Sequence, residues 1–338
     1  MNVHKLSIIV VAFNEEQHIA RLHGSIKRLV RPSHVDVESI LVDGGSRDGT
    51  IQAARDAGFS TVIDLAGANI PACRNRGLGE ARGDWIAFVD ADCELAPDWL
   101  EKALPLMESG DDALMGWPAV PPEPMTWVQA AWRFHWTQKN PRLETYRGQQ
   151  VVRKEGFRLT TTRNMILHRS VADRIKGFNE ELATGEDTDF AYRAYLAGVT
   201  VLGNPALVAI HHGEPATLAQ FFRQQVWHAN RKSYEQIMKA TGGKVGGNAP
   251  RFAAAFLVTG SLAIAGIVGG LAMRCGWTAL LAAPFAAIVA GPALLMCVRG
   301  KSARFFLPLI ALYFAYGLAR AVDLIGLSPA KPSWKSAA

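Results

Sequence analysis

Two carboxylates one residue apart, Asp90 and Asp92, close an apolar run from Trp85 to Val89 that reads as a short buried strand. Successive side chains of a strand leave on opposite faces, so Asp90 and Asp92 point the same way from its end. Neighbouring carboxylates repel in water, and the pair is stable once a cation or sugar hydroxyls sit between them. A hard divalent ion carrying a diphosphate suits such oxygen donors. In isolation the Asp90-Ala91-Asp92 triplet reads first as an acidic turn closing a strand, so its meaning depends on the other groups in the chain.

Three further stretches carry residue types fit for chemistry. Asp43 opens Asp43-Gly44-Gly45-Ser46-Arg47-Asp48-Gly49-Thr50. A carboxylate there accepts from ribose hydroxyls or the N–H edge of a base, and it can also cap the next helix through an Asx-type turn. Glu186-Asp187-Thr188-Asp189 begins a helical pattern that runs to Leu196 and ends at Gly198. Acids at a helix start profit from its free N–H groups, and Glu186 with Asp187 could also supply a general base for an acceptor hydroxyl. His211-His212 follows a short apolar run, where an imidazole could join Asp92 on a metal or serve a structural role.

The elements that must position these groups follow from apolar spacing. Leu6 to Phe13 is a nearly continuous apolar run, the pattern of a parallel strand buried on both faces, and Asn14-Glu15-Glu16 ends it. Ile19, Leu22, Ile26 and Leu29 recur at helical spacing up to Pro32. Ser39 to Val42 and Val62-Ile63 predict strands, and Ile51 to Ala57 and Pro71 to Ala81 predict the helices between them. The alternation predicts an α/β fold with a doubly wound, mostly parallel sheet. Ligands bind such sheets at the carboxyl ends of the strands. Asn14-Glu15, Asp43 and the Asp90-Asp92 pair all fall there. A dinucleotide-binding unit would place Gly-x-Gly-x-x-Gly after the first strand, where this chain has Ala12-Phe13-Asn14-Glu15-Glu16.

Composition divides the chain of 338 residues. Charges are frequent and mixed up to about Lys244 and nearly vanish from Phe252 to Ala319. This predicts a large domain over residues 1–240, a helical transmembrane region over 251–327 and a tail over 328–338. The 22 residues from Phe252 to Met273 and the 23 from Gly276 to Val298 carry no charge. Each is long enough to cross the hydrocarbon core. Phe305 to Leu327, interrupted by Arg320 and Asp323, reads as a third span or an interfacial segment. Arg231, Lys232, Lys239, Lys244 and Arg251 precede the first span, Arg299, Lys301 and Arg304 follow the second, and Arg274 alone lies between them. That bias predicts a multi-pass protein of the inner (cytoplasmic) membrane with the large domain facing the cytoplasm.

The formal charge of +6 is spread out or set beside apolar segments, which speaks against a nucleic-acid stripe and for a membrane surface. Cys73, Cys93, Cys275 and Cys297 lack metal-ligand spacing. The N-terminus reads as a strand and not as a signal peptide. Trp127, Trp132 and Trp136 with Phe134, His135, Arg133 and Lys139 read as an aromatic-basic cluster at a membrane boundary or as ordinary helix core. Phe221 to Tyr234 reads as amphipathic and basic.

Taken in order, Val10-Val11-Ala12-Phe13-Asn14-Glu15, Val42-Asp43-Gly44-Gly45-Ser46-Arg47-Asp48-Gly49-Thr50, Arg74-Asn75-Arg76-Gly77, Phe88-Val89-Asp90-Ala91-Asp92, Gly177-Phe178-Asn179-Glu180 and Gly185-Glu186-Asp187-Thr188-Asp189-Phe190 resemble the family 2 glycosyltransferases, inverting enzymes of the GT-A fold. The likeness covers roughly Leu6 to Tyr234. It implies that Asp43 and the Phe13-Asn14-Glu15 turn hold nucleotide base and ribose, that Arg74 lies near the donor, and that Asp90 binds ribose or sugar hydroxyls. It further implies Mg²⁺ or Mn²⁺ on Asp92 with His212, or with His211 as the alternative, and Asp187 as the base with Glu186 beside it. Processive members carry Gln-x-x-Arg-Trp, whereas this chain has Arg223-Gln224-Gln225-Val226-Trp227. The expectation is therefore transfer of one sugar from a nucleotide-sugar donor, a UDP-sugar first among candidates, to a lipid-linked acceptor such as a polyprenyl-linked glycan in bacterial envelope or exopolysaccharide synthesis. A nucleotidyltransferase of similar fold and an inactive membrane-anchored scaffold are the competing readings.

Overall fold

The computed structural model describes residues 4–109, 112–138, 142–153, 156–182, 184–229, 248–274 and 276–327, together with 235, 238 and 239. Arg231, Lys232, Lys244, Lys139, Cys275 and the tail over 328–338 lie outside the described residues.

The apolar runs become strands and the periodic segments helices in the expected order. β1 (His4–Ala12), α1 (Glu16–Lys27), β2 (Val35–Asp43), α2 (Thr50–Ala57), β3 (Thr61–Asp64), α3 (Ile70–Glu80) and β4 (Trp85–Asp90) form the first half. β5 (Cys93–Leu95), α4 (Trp99–Met107), β6 (Ala113–Gly116), α5 (Trp127–Gln138), the hairpin β7 (Glu144–Tyr146) and β8 (Gln149–Val151), β9 (Met165–His168) and α6 (Arg169–Arg174) follow. Then come α7 (Glu186–Leu196), β10 (Thr200–Gly203), β11 (Ala209–His211) and α8 (Leu218–His228).

The main sheet has seven strands in the order β10-β6-β9-β4-β1-β2-β3. All its neighbours pair in parallel except β9, which is antiparallel to both β4 and β6. Residues Ile8 to Val10 and Ile40 to Val42 are at most 1% exposed, so both faces of the central strands are covered. That explains why they read as unbroken apolar runs. Register fixes the functional edge. Ala12 lies level with Asp43 and Val11 with Asp90, which brings the ends of β1, β2 and β4 to one line.

Helix α3 approaches that sheet unusually closely. Gly77 is buried, and a Cβ built there would overlap Cγ2 of Ile9 on β1. Gly77→Ala is expected to lower thermal stability by about 1–3 kcal/mol, the usual cost of overpacking a close interface. A thermal melt in detergent measures it, and an unchanged melting temperature would show that the helix shifts freely.

The chain packs as two compact units, one holding Met1–Pro122 and Pro141–Gly213, the other Glu123–Asn140 and Glu214–Lys331. The second unit contains α5, α8 and the helices α9 (Asn248–Met273), α10 (Ala283–Arg299) and α11 (Phe306–Leu324). Among the described residues three helical segments are long and apolar enough to cross a membrane, Pro250–Met273, Gly276–Arg299 and Ala303–Leu324. The middle one opens with a 3₁₀ stretch, Gly276–Ala282, before α10 begins at a proline-bearing first turn. Proline favours that place because it fixes a helical φ and lacks the N–H that a first turn leaves unpaired.

Polar and aromatic side chains tie α5 and α8 to α11. Trp132 of α5 stacks on His135 at 4.7 Å and meets Phe221 of α8 at 4.9 Å. His135 Nδ1 lies 2.5 Å from the Tyr313 hydroxyl. Buried Arg320 donates to Oε1 of Gln225 at 3.1 Å and covers the Tyr316 ring. Trp132 is partly buried and packs against this cluster, while Trp127 and Trp136 stand 50% and 42% exposed.

Candidate active site

The β1–α1 and β2–α2 loops are built against each other. Asn14 takes a positive φ of 56°, its N–H donates to Ser46 Oγ at 2.7 Å, and its Oδ1 accepts from the Arg47 N–H at 2.9 Å. The Glu15 N–H donates to Thr50 Oγ1 at 2.8 Å. Asp43 is fully buried, accepting the N–H groups of Gly45 and Ser46 at 2.8 and 2.7 Å and also the Ser46 hydroxyl. This is an Asx turn. Asp43 therefore shapes the loop, and a carboxylate keeps lone pairs for a further donor. Phe13 and Glu15 remain partly exposed at this edge. Burial, opposed by the 2.6 Å contact to His18 Nδ1 and reinforced by the charges of Asp92 and Asp90, pushes the Glu15 carboxyl up.

Arg74 sits at the centre of the strand-end groups. Its side chain is 5% exposed and bridges two acids, Glu186 Oε1 at 2.5 Å through Nη1 and Asp90 Oδ1 at 3.2 Å through Nη2. The Phe178 ring lies 5.6 Å from its guanidinium carbon. One residue on, Asn75 accepts the Phe178 N–H at 2.8 Å and donates to the Phe178 carbonyl and to Glu180 Oε1. Phe178 in turn stacks on Phe190 of α7. The motifs Arg74-Asn75-Arg76-Gly77 and Gly177-Phe178-Asn179-Glu180 are thus one joint, which sets the start of α7 against the end of β4.

At that start Glu186 is buried and Asp187 half-buried. The Thr188 N–H donates to Asp187 Oδ1 at 2.7 Å. Burial and the neighbouring Glu186 charge push the Asp187 carboxyl up to about 6, against the pull of Arg74, the Thr188 N–H and Arg163. A carboxylate poised near neutrality can take a proton from a hydroxyl.

Asp92 meets His211, whose Nε2 lies 2.9 Å from Asp92 Oδ2. His212 instead reaches Glu94 Oε2 at 3.2 Å. Strand alternation does not decide this. β5 and β11 form an antiparallel ribbon with Ile210 opposite Glu94 and His211 opposite Cys93, so His212 shares a face with Glu94. Asp92 lies in the turn before β5, outside that alternation, and its carboxylate comes to the His211 ring. Of the two histidines that the sequence leaves as alternatives, the structure brings the ring of His211 and not that of His212 to the Asp92 carboxylate, although the His212 N–H donates to the Asp92 carbonyl at 2.9 Å. Burial would raise the Asp92 carboxyl, but the hydrogen bond and charge of His211, with Arg163 and His18, hold it below its ordinary range.

Asp92, His211 and Cys93 place one potential ligand atom each within 4.8 Å of one another. Burial and the charges of Asp90 and Asp92 push the Cys93 thiol well above its ordinary value, which keeps it protonated and a poor ligand. The remaining carboxylate and imidazole fit a Mg²⁺ or Mn²⁺ that takes its other ligands from phosphate and water. A Cβ at Gly213 would overlap Asp92 Oδ2, so glycine there leaves this carboxylate its space.

Sequence reasoning missed Arg163. Its Nε lies 3.9 Å from Asp90 Oδ2. β9 runs against β4 with Met165 level with Phe88, so the residues just before β9 arrive at the edge where its neighbours end. An antiparallel strand inserted in a parallel sheet carries no sequence mark that would have placed Arg163 there.

The fold and the edge on which these groups meet define a glycosyltransferase of the GT-A type. The chain belongs to glycosyl transferase family 2, whose sequence profile matches residues 7–175. It is similar to glycosyltransferase AglE of Haloferax volcanii, 25% identical over 247 residues that cover 69% of this chain and 77% of that protein. Over 120 residues it is 27% identical to undecaprenyl-phosphate 4-deoxy-4-formamido-L-arabinose transferase of Pseudomonas fluorescens, covering 33% of this chain and 35% of that one. Among solved structures it matches the mannosyltransferase PcManGT from Pyrobaculum calidifontis, solved with GDP-Man and Mn²⁺, with a TM-score of 0.58 at 16% identity over 95% of this chain and 87% of that one. That likeness supports the fold.

Proposed function

We propose that this protein transfers a single sugar from a nucleotide-diphosphate sugar, with a UDP-sugar the first donor to try, onto a membrane-associated acceptor, inverting the anomeric centre. The observation that carries this reading is Asp187, a carboxylate raised to about 6 and joined through Glu186 and Arg74 to Asp90 at the strand ends. Phe13, Asn14, Glu15 and Asp43 form the wall for base and ribose, and Asp90 accepts from ribose or sugar hydroxyls. Asp92 and His211 would hold Mg²⁺ or Mn²⁺, which when bound offsets charge on the departing diphosphate. Asp187 takes the acceptor proton as its hydroxyl oxygen attacks the anomeric carbon, and the nucleoside diphosphate leaves on the opposite side. One displacement of this kind inverts the configuration.

The acceptor class rests on the three apolar helices and on the likeness to a transferase named for undecaprenyl phosphate. A polyprenyl-linked glycan of envelope or exopolysaccharide synthesis fits, with the catalytic unit on the cytoplasmic side of the inner membrane as the Lys and Arg bias directs. Purified protein incubated with a panel of nucleotide sugars and membrane lipid extract should release nucleoside diphosphate, not pyrophosphate, and only when the lipid is present. Equal transfer to a soluble acceptor, with or without the helices after residue 250, would remove the lipid-acceptor reading. Release of pyrophosphate from a sugar phosphate would instead mark a nucleotidyltransferase.

A further inference from the structure

We propose that Arg74 is a positioning residue, a buried strut between α3, β4 and α7 that holds Asp90 and Glu186 in place and offsets the charge Glu186 imposes on Asp187. The proposal rests on Asp187 being the base. It departs from a donor-binding role for Arg74, because the side chain is 5% exposed and two of its N–H groups already serve Glu186 and Asp90. The two acids it joins belong to motifs far apart in sequence, Glu186 lying 112 positions after Arg74. Gly77 admits α3 to the sheet at the required depth, and Asn75 fastens it to the Phe178 segment ahead of α7.

The electrostatic part follows from what faces Asp187. Glu186 on its own helix repels its charge, while Arg74 from α3 and Arg163 from the segment before β9 favour it. Asp90 at the end of β4 shares Arg74 and faces Arg163. Asp189, on the same helix, is taken up by Arg193 at 2.8 Å. Losing Arg74 removes a favourable charge and also leaves Glu186 without its partner. Losing the Glu186 charge does the reverse, because Arg74 then acts on Asp187 without opposition.

Opposite changes in the acid limb of kcat/KM against pH therefore test the proposal. In the full-length protein in detergent, Arg74→Met should raise the midpoint above the wild-type value near 6, and Glu186→Gln should lower it. Arg74→Met should also reduce kcat about tenfold or more with donor KM within about twofold, the pattern of a misplaced base and not of a lost donor contact. Arg74→Lys keeps one charge and should return the limb most of the way, and thermal melts identify any variant that fails to fold. A raised donor KM with unchanged kcat and an unmoved limb in Arg74→Met would overturn the proposal. So would movement of both limbs in the same direction, the result of general loosening. A wild-type profile with no acid limb near 6 would remove the base assignment and this proposal with it, whereas a limb present but unmoved removes only the strut. If Arg74→Met fails to fold, the Glu186→Gln limb alone decides, by moving down or not.

Discussion

Asp187→Asn is expected to reduce turnover by about a hundredfold or more while leaving binding of the nucleotide donor intact. Asparagine keeps the shape of the side chain but cannot accept the acceptor's proton, and general base catalysis is worth about 10²–10⁴ in rate. In the wild type the Asp187 carboxyl is raised to about 6 by burial and by Glu186. The base is therefore disabled as pH falls through about 6, so kcat/KM should decline on that side and the variant should lose this limb. Stability should move the other way. A carboxylate whose folded pKa is raised contributes stability below its unfolded value that is lost as pH rises from about 4 through about 6. At neutral pH the ionised group is a burden that asparagine lacks, so the variant should melt at the same or a higher temperature. Release of nucleoside diphosphate, donor titration and melting curves at pH 5 and pH 8 measure the three effects. Turnover within a few-fold of wild type would assign the base elsewhere.

That prediction draws on a fold that was largely readable in the sequence, for a physical reason. Parallel strands covered on both faces must be continuous apolar runs, so β1, β2 and β4 announce themselves, and the acids at their ends stand out against that background. β5 is too short to show a pattern of its own, and β9 gives no sign of direction. The turn before β5 and the direction of β9 decide which histidine and which arginine enter the site. Arg163 was missed because a residue in the turn that leads into an antiparallel strand looks like any polar loop residue. Arg74 was readable as important and not readable as buried, because its two acidic partners are far away in sequence. The same holds for α5 and α8, whose place against α11 depends on single contacts such as His135 with Tyr313 and Arg320 with Gln225.

The choice between the histidines gives the other large effect. Asp92→Ala should abolish Mn²⁺ retention in the presence of nucleoside diphosphate and with it divalent-dependent turnover, a loss of about a hundredfold or more if Asp92 is the protein's main oxygen donor. His211→Ala should weaken Mn²⁺ binding strongly, and His212→Ala should not. The ground is the side-chain contacts: the His211 ring meets Asp92, which lies in the turn before β5, whereas the His212 ring meets Glu94, which Arg28 also engages at 2.9 Å. The electron paramagnetic resonance of Mn²⁺, titrated into each variant with nucleoside diphosphate present, reads occupancy without relying on catalysis. Chelation should silence wild-type turnover, and Mn²⁺ should restore it. Equal loss of Mn²⁺ in His212→Ala would mean that the His212 ring turns from Glu94 to the ion, and an intact signal in Asp92→Ala would move the metal to other acids at the strand ends, with Asp90 and Glu15 the nearest in charge to that position.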